Sequence, residues 1–180
     1  YPKLLATLPS KESGVRYRLE GYLFPATYGY GKDSKMEDLV DQMLAAMDQN
    51  LSSYYDTMEA KNIDVNEALT LASLIEKEGA TDKDRKDIAS VFYNRLNQDM
   101  PLQSNIAILY AQGQLGKKTT LKEDATIDTN IDSPYNIYKN TGLMPGPVDS
   151  PGLSAIEAAV NPSKTDYLYF VANVETGEVY

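Results

Sequence analysis

From Met36 to Met58 the apolar residues Met36, Leu39, Val40, Met43, Leu44, Met47, Leu51, Tyr54, Tyr55 and Met58 recur at intervals of three and four. Only a helix brings such a series onto one face, so this stretch has to pack that face against the rest of the chain. Ser34, with Glu37 three positions on, has the spacing of a capping box and predicts the start. The methionines along the stripe suit an adaptable ligand groove, but a core-facing helix surface is the commoner use of such a pattern.

The same period recurs downstream. A second helix is expected from Asp64, with Glu67 as its reciprocal cap, to Glu78 before Gly79. A third should begin at Thr81 or Asp82, with Ile88, Val91, Phe92 and Leu96 inward. After a turn at Asp99-Met-Pro-Leu102, Ile106, Leu109 and Tyr110 mark a short fourth helix ending at Gly113. Ser150-Pro151 is expected to cap a last helix through Val160, stopped by Asn161-Pro162.

At the two ends of the chain the period falls to two. Val15, Tyr17 and Leu19 alternate with Arg16, Arg18 and Glu20, and Tyr167–Ala172 leads through a turn at Glu175-Thr-Gly177 into Glu178-Val-Tyr180. Half-buried strands read this way, so the expected fold class is α+β: a helix-rich domain with a small β-sheet formed by the N- and C-terminal segments, near 15–23 and 167–174. Residues 132–152 show no period and hold Pro134, Pro145, Pro147 and Pro151 with Gly142, Gly146 and Gly152. A loop of that length in a compact domain points to function. There is no internal repeat and no low-complexity tract.

Composition narrows the chemistry. A chain of 180 residues suits one domain, burying roughly 70% of its unfolded surface. Cysteine and histidine are both absent, which excludes thiol nucleophiles, Ser-His-Asp triads and the usual Cys/His zinc sites. Chemistry has to run on carboxylates, hydroxyls, amides, Lys, Arg or Tyr. Of the 26 acidic and 17 basic side chains, the last third of the chain has 9 and 3, so the net charge of −9 sits mainly there. No basic stripe exists to neutralise phosphates, and no nucleic-acid partner is expected. Fourteen Tyr stand beside no Trp; Tyr can stack on a sugar while hydrogen-bonding it, although most of the fourteen should simply fill half-buried positions. No apolar run approaches the ~20 residues of a membrane helix, and no signal peptide opens the chain. The first residue is Tyr1 rather than Met, as in a fragment whose targeting segment has been removed. Lack of cysteine fits an extracytoplasmic bacterial protein and many cytosolic ones alike.

Among the carboxylates, Glu78 is the most informative. On a helix it follows Leu71, Leu74 and Ile75 by seven, four and three residues and shares their apolar face, whereas Glu76 is rotated away by about 200°. Desolvation on that face and the carbonyls of the last helical turn both disfavour its charged form, as a general acid near neutral pH requires. A partly buried structural Glu paired with a Lys or Arg has the same signature. Glu20 lies beside Gly21, whose missing side chain lets another backbone or a ligand come close. Asp82, Asp84 and Asp87 open the third helix and suit its dipole. Asp124, Asp128 and Asp132 lack the spacing and the glycine of a calcium loop, so no metal site is expected. No glycine-rich phosphate loop is present.

Seven blocks then occur in order: Leu19-Glu-Gly-Tyr-Leu-Phe-Pro25, Ala72-Ser-Leu-Ile-Glu-Lys-Glu78, Ala89-Ser-Val-Phe-Tyr-Asn-Arg-Leu96, Met100-Pro-Leu-Gln-Ser104, Ser133-Pro-Tyr-Asn-Ile-Tyr138, Gly142-Leu-Met-Pro-Gly-Pro147 and Tyr167-Leu-Tyr-Phe-Val171. Together they resemble the endolytic murein transglycosylases of the MltG (YceG-like) family, over nearly the whole chain. The resemblance implies one catalytic domain over 1–180, without the family's amino-terminal membrane helix and LysM-like subdomain. It implies a cell-wall enzyme on the extracytoplasmic face of the bacterial membrane. Such an enzyme is anchored through a segment outside this chain, acts on peptidoglycan strands beside the synthesis machinery, limits strand elongation and needs no cofactor. The family's catalytic glutamate is the second Glu of its Glu-Lys-Glu motif, which falls on Glu78. Glu20, Gln103, Asn105, Tyr135, Asn136 and Tyr138 fall in blocks that resemble its cleft-lining elements. Position 105 is usually Asp in the family and is Asn here, and a His-containing segment beyond the last strand is absent.

Lytic transglycosylases cleave the MurNAc–GlcNAc bond without water: the MurNAc C6 hydroxyl attacks its own C1 and leaves a 1,6-anhydro ring. With the nucleophile tethered in the substrate, proximity replaces the second carboxylate that hydrolytic glycosidases use. One Glu can then act twice, as acid and as base. The competing expectations are a non-catalytic peptidoglycan-binding or divisome scaffold and a hydrolytic muramidase.

Overall fold

The computed structural model describes residues 1–116, 126–173 and 175–180. Six helices lie among them: α1 (Met36–Leu51), α2 (Tyr55–Ala60), α3 (Val65–Glu78), α4 (Asp82–Asn97), α5 (Asn105–Ala111) and α6 (Leu153–Val160). Helix α3 organises the rest. Val65 and every residue from Ala68 to Ile75 are buried. A helix apolar on all sides belongs at the centre of a fold. The predicted box starts it: Asp64 Oδ1 accepts from the Glu67 N–H at 2.8 Å and Glu67 Oε2 from the Asp64 N–H at 3.0 Å. Helices α4 and α6 pack on α3 and on each other, with α5 touching its far end. Ala155, Ala158 and Ala159 are fully buried on α6 and keep that contact close. The last carbonyls of α6 are taken up by Tyr93, whose hydroxyl donates to Ala159 O, and by Lys61, whose ammonium donates to Val160 O, as a helix C-terminus requires.

Two predicted starts and one predicted length need correction. The cap of α1 is Lys35, not Ser34, and it makes no side-chain bond. Glu37 is thereby the second helical residue rather than the third and does not form a box; the Ser34 hydroxyl instead accepts from the Gly31 N–H at 2.9 Å. The long first helix is interrupted at Ser52, whose hydroxyl donates to Gln49 O at 2.7 Å, and such local bonding competes with helix continuation. Helix α6 is capped at Gly152 rather than Ser150-Pro151. The Gly152 N–H donates to Glu76 Oε2 at 3.0 Å.

The expected α+β class is overturned: the described residues form a helical fold with no β-sheet. The alternation at 14–20 does not sort the side chains by burial: Tyr17 is 66% exposed, and Arg16 and Arg18, also exposed, bond to protein partners away from any strand. Arg16 lies over the Tyr110 ring, 4.7 Å from its centroid, and donates to Tyr110 O at 2.9 Å, while Arg18 Nε donates to Pro9 O at 2.7 Å. Left-handed glycines at Gly14 (φ +90°) and Gly21 (φ +87°) turn the chain at both ends of the segment. At the other terminus, Asn94 Nδ2 binds the carbonyls of Thr165 and Tyr167, and Arg95 Nε binds that of Leu168. Side chains of α4, not a neighbouring strand, therefore hold 165–168. The predicted turn after it does close. Val171 and Tyr180 exchange both backbone bonds at 2.9 Å around a single bridge between Ala172 and Val179.

Candidate active site

Glu78 is the last residue of α3, and Ser104 is the cap of α5. The two meet: Ser104 Oγ donates to Glu78 Oε1 at 2.6 Å and accepts from the Ile106 N–H at 3.2 Å. With a lone pair of that hydroxyl taken by the helix start, its one proton goes to the carboxylate. Burial raises the Glu78 pKa above the ordinary carboxylate value, and the Ser104 bond partly opposes the rise.

Glu78 borders a cavity of about 570 Å³ together with Gln103, Asn105 and Tyr138. Tyr138 donates to Asn105 Oδ1 at 2.6 Å. Its own hydroxyl is made less acidic first by burial and then by the nearby Glu78 charge. Gln103 adopts a left-handed backbone (φ +56°), uncommon for a residue with a side chain. Its N–H reaches Ile137 O at 3.0 Å and ties the α4–α5 turn to the proline-rich loop. Lys77, on the cavity rim, pairs with Asp149 at 3.3 Å. Asp149 is pushed up to about 6, chiefly by burial, with Lys77 opposing.

Four of the seven candidate residues thus share one cavity, and three do not. Glu20 accepts from the Tyr110 hydroxyl. Tyr135 is 4% exposed and packs against the same Tyr110, ring centroids 4.8 Å apart. Asn136 is fully buried; its Nδ2 donates to the carbonyls of Thr129 and Ile131, and its Oδ1 accepts from the Tyr138 N–H. Asn136 folds the loop that presents Tyr138 and does not face the cavity itself. Sequence reasoning assigned no role to Ser104, Arg95 or Tyr169, the last two of which also border the cavity. Each stands inside one of the seven blocks, which was the available signal. Asp124 lies outside the described residues, and among those described no group of three or more Asp or Glu could hold a metal ion. No described helix is long and apolar enough to cross a membrane.

A half-buried acid at a helix end, bordering a cavity and held by a hydroxyl, is the arrangement of a carboxylate-dependent enzyme site. The chain belongs to the YceG-like family, whose sequence model matches residues 3–180. It is 68% identical over all 180 residues to the endolytic murein transglycosylase of Streptococcus pneumoniae (strain D39), covering 33% of that protein. It is 47% identical over 166 residues to the endolytic murein transglycosylase of Bacillus subtilis (strain 168), covering 92% of this chain and 44% of that one. The crystal structure of a yceG-like protein from Listeria monocytogenes superposes with a TM-score of 0.84 at 47% identity, over 99% of this chain and 55% of that one. The chain spans about a third of the length of its pneumococcal relative.

Proposed function

We propose that residues 1–180 form a single catalytic domain that cleaves the MurNAc–GlcNAc β-1,4 bond of peptidoglycan internally, leaving 1,6-anhydro-MurNAc ends. The observation that carries this reading is the state of Glu78. It is the one carboxylate among the described residues bordering the cavity. Ser104 engages its Oε1, while Oε2 has no hydrogen-bond partner among the described residues. Burial raises its pKa and so favours the protonated form that a general acid needs, and Oε2 is the oxygen free to carry that proton. In the first half of the reaction Glu78 gives this proton to the departing GlcNAc O4 as the C1–O4 bond breaks. In the second half the MurNAc O6 bonds to C1, and the Glu78 carboxylate takes the proton that O6 sheds. The acid returns to its starting state, and no water is consumed. Ser104 stabilises the carboxylate between the halves with a charge-assisted hydrogen bond. Tyr138, Asn105 and Gln103 hold the glycan.

This activity belongs on the extracytoplasmic face of the cell membrane, where peptidoglycan strands lie. Its biological counterpart is termination of strand elongation beside the synthesis machinery, with membrane anchoring supplied outside these residues. The names of the pneumococcal and Bacillus relatives support the reading. Glu78→Gln should fold normally and lose 10²–10⁴-fold or more of the activity, the range general acid–base catalysis contributes. Mass analysis of digested peptidoglycan reads the outcome. Reducing ends in place of anhydro ends would mean a hydrolytic muramidase, no turnover by the unaltered chain would leave a binding module, and full turnover by Glu78→Gln would take the acid role away from Glu78.

A further inference from the structure

Arg95, on α4, is 6% exposed and borders the same cavity as Glu78. Its Nε donates to Leu168 O at 2.7 Å, and its Nη1 to Pro101 O at 3.0 Å, with longer bonds to Leu102 O and Gln103 Oε1. The Tyr169 ring lies against the guanidinium, its centroid 4.9 Å from Cζ. Those contacts explain how the group is held but leave two things unexplained. No carboxylate among the described residues pairs with it. Nη2 has no hydrogen-bond partner there, yet it is not among the atoms sealed from solvent. A guanidinium withdrawn from water is costly unless its charge is met. Lys77, the other cation among the described residues bordering the cavity, is already met by Asp149. Among the described residues, Arg95 is therefore the cavity cation without a carboxylate partner, and it has a donor to spare.

The geometry points to Arg95 as a specificity-determining residue whose Nη2 receives the carbonyl or carboxylate oxygen of the lactyl substituent on the muramoyl sugar, an inference that rests on the glycan reading above. That substituent is what separates the two sugars of the strand. Both carry an N-acetyl group, but the 3-O-lactyl group occurs only on MurNAc, as an acyl carbonyl when a stem peptide is attached and as a free carboxylate when it is not. Either form is an oxygen acceptor of the kind a rigid guanidinium fork selects. The site would thus register which sugar lies beside Glu78, so that the ring presented for cleavage is the one bearing the lactyl group.

Binding can be separated from cleavage by working in the Glu78→Gln chain. Calorimetry should compare a peptide-free tetrasaccharide of alternating GlcNAc and MurNAc with chitotetraose, which has the acetyl groups but no lactyl group. The lactyl-bearing ligand should bind about tenfold tighter or more, the worth of one charge-assisted bond. Adding Arg95→Lys, which keeps the charge but not the fork, should bring the two ligands within about threefold. Equal affinities in Glu78→Gln alone, or an undiminished preference in a folded Arg95→Lys chain, would overturn the inference. Because Arg95 also braces the 101–103 turn, a second readout avoids substituting it. The chain has four arginines, so Arg16→Lys, Arg18→Lys and Arg85→Lys identify the Arg95 side-chain ¹⁵N signal by elimination. That signal should shift with the tetrasaccharide and stay still with chitotetraose, and the reverse or no shift would count against the proposal. Peptidoglycan digestion by the unaltered chain, run in parallel, reports on the enzymatic reading separately: lactyl preference without anhydro products would sink that reading and leave this one standing.

Discussion

Gly21 is where the N-terminal segment meets the proline-rich loop, and replacing it tests both the backbone and the contact. Its φ is +87°, and a Cβ built there would lie 2.3 Å from both Cβ and Cγ of Pro147 and 3.2 Å from Asp149 O. Pro147 has no easy retreat. Its ring is rigid, and the next residue is fastened to α3 by the Val148 N–H donating to Ser73 Oγ at 3.0 Å. Gly21→Ala therefore carries two costs: about 1–2 kcal/mol for an L-residue in a left-handed conformation and about 1–3 kcal/mol for overpacking. At about 2–4 °C per kcal/mol for a domain of this size, the combined loss of about 2–5 kcal/mol lowers Tm by about 4–20 °C. Gly142→Ala isolates the first cost, since φ is +85° but nothing lies within 4 Å of the added carbon; about 2–8 °C is expected. Gly29→Ala meets neither obstacle and should leave Tm unchanged or raise it slightly. Thermal unfolding followed by circular dichroism at 222 nm ranks the three. Equal losses for Gly21→Ala and Gly142→Ala would refute the close approach, and an unaltered Gly21→Ala would refute the packing of the two segments.

Ser104→Ala removes the bond that favours the charged form of Glu78, so the Glu78 pKa should rise further and the alkaline limb of the pH–activity profile should move to higher pH; Ser104→Thr should restore it, and an unmoved limb would rule out the contact. Asp149 is raised from 3.8 to about 6 in the folded chain, so its contribution to stability is present below about pH 4 and is lost as pH rises through about 6. Urea unfolding of Asp149→Asn should accordingly show less decline between pH 4 and 6 than the unaltered chain, and parallel curves would contradict the burial argument. Tyr135→Ala should cost about 3–5 kcal/mol as a core truncation, whereas Tyr138→Ala should weaken glycan binding with little change in Tm. The opposite pairing in melting and binding assays would exchange their roles.

What could be read in the chain was what depends on neighbours in sequence. Glu78 was placed correctly relative to Leu71, Leu74 and Ile75 because helical phase is a local property, and the Asp64–Glu67 box was legible for the same reason. The Ser34–Glu37 spacing misled by one residue, since nothing local says which of two adjacent positions will leave the helix. The missing sheet has a different cause. Period-two alternation settles neither which side chains are buried, since Tyr17, Tyr167, Tyr169 and Val171 stay exposed, nor what the backbone pairs with. Around Arg16, Arg18, Tyr167 and Leu168 the partners are side chains and carbonyls from elsewhere in the fold. Ser104 lies 26 residues from Glu78 and Tyr110 lies 90 from Glu20, distances at which no spacing rule operates. Tyr135 and Tyr138 stand three apart in one loop, and only the fold decides that the first faces the core and the second the cavity.

The balance on Glu78 follows from what the chain lacks. In a chain without histidine or cysteine, the acid–base role proposed for Glu78 places its carboxyl between two demands. Too low a pKa leaves no proton to give, and too high a pKa leaves a carboxylate unwilling to persist between the halves of the reaction. Burial at the end of α3 acts in one direction and the Ser104 hydroxyl in the other. The second influence is delivered by a helix cap, so the opening turn of α5 and the proton affinity of the acid are set by one side chain. Displacing α5 therefore changes the chemistry as well as the shape of the cavity. Gln103, immediately before that cap, is held in a left-handed conformation with its N–H on Ile137, and Asn136 braces the same loop from the other side. Substituting Asn136 should consequently alter the pH dependence of the reaction although its side chain never enters the cavity.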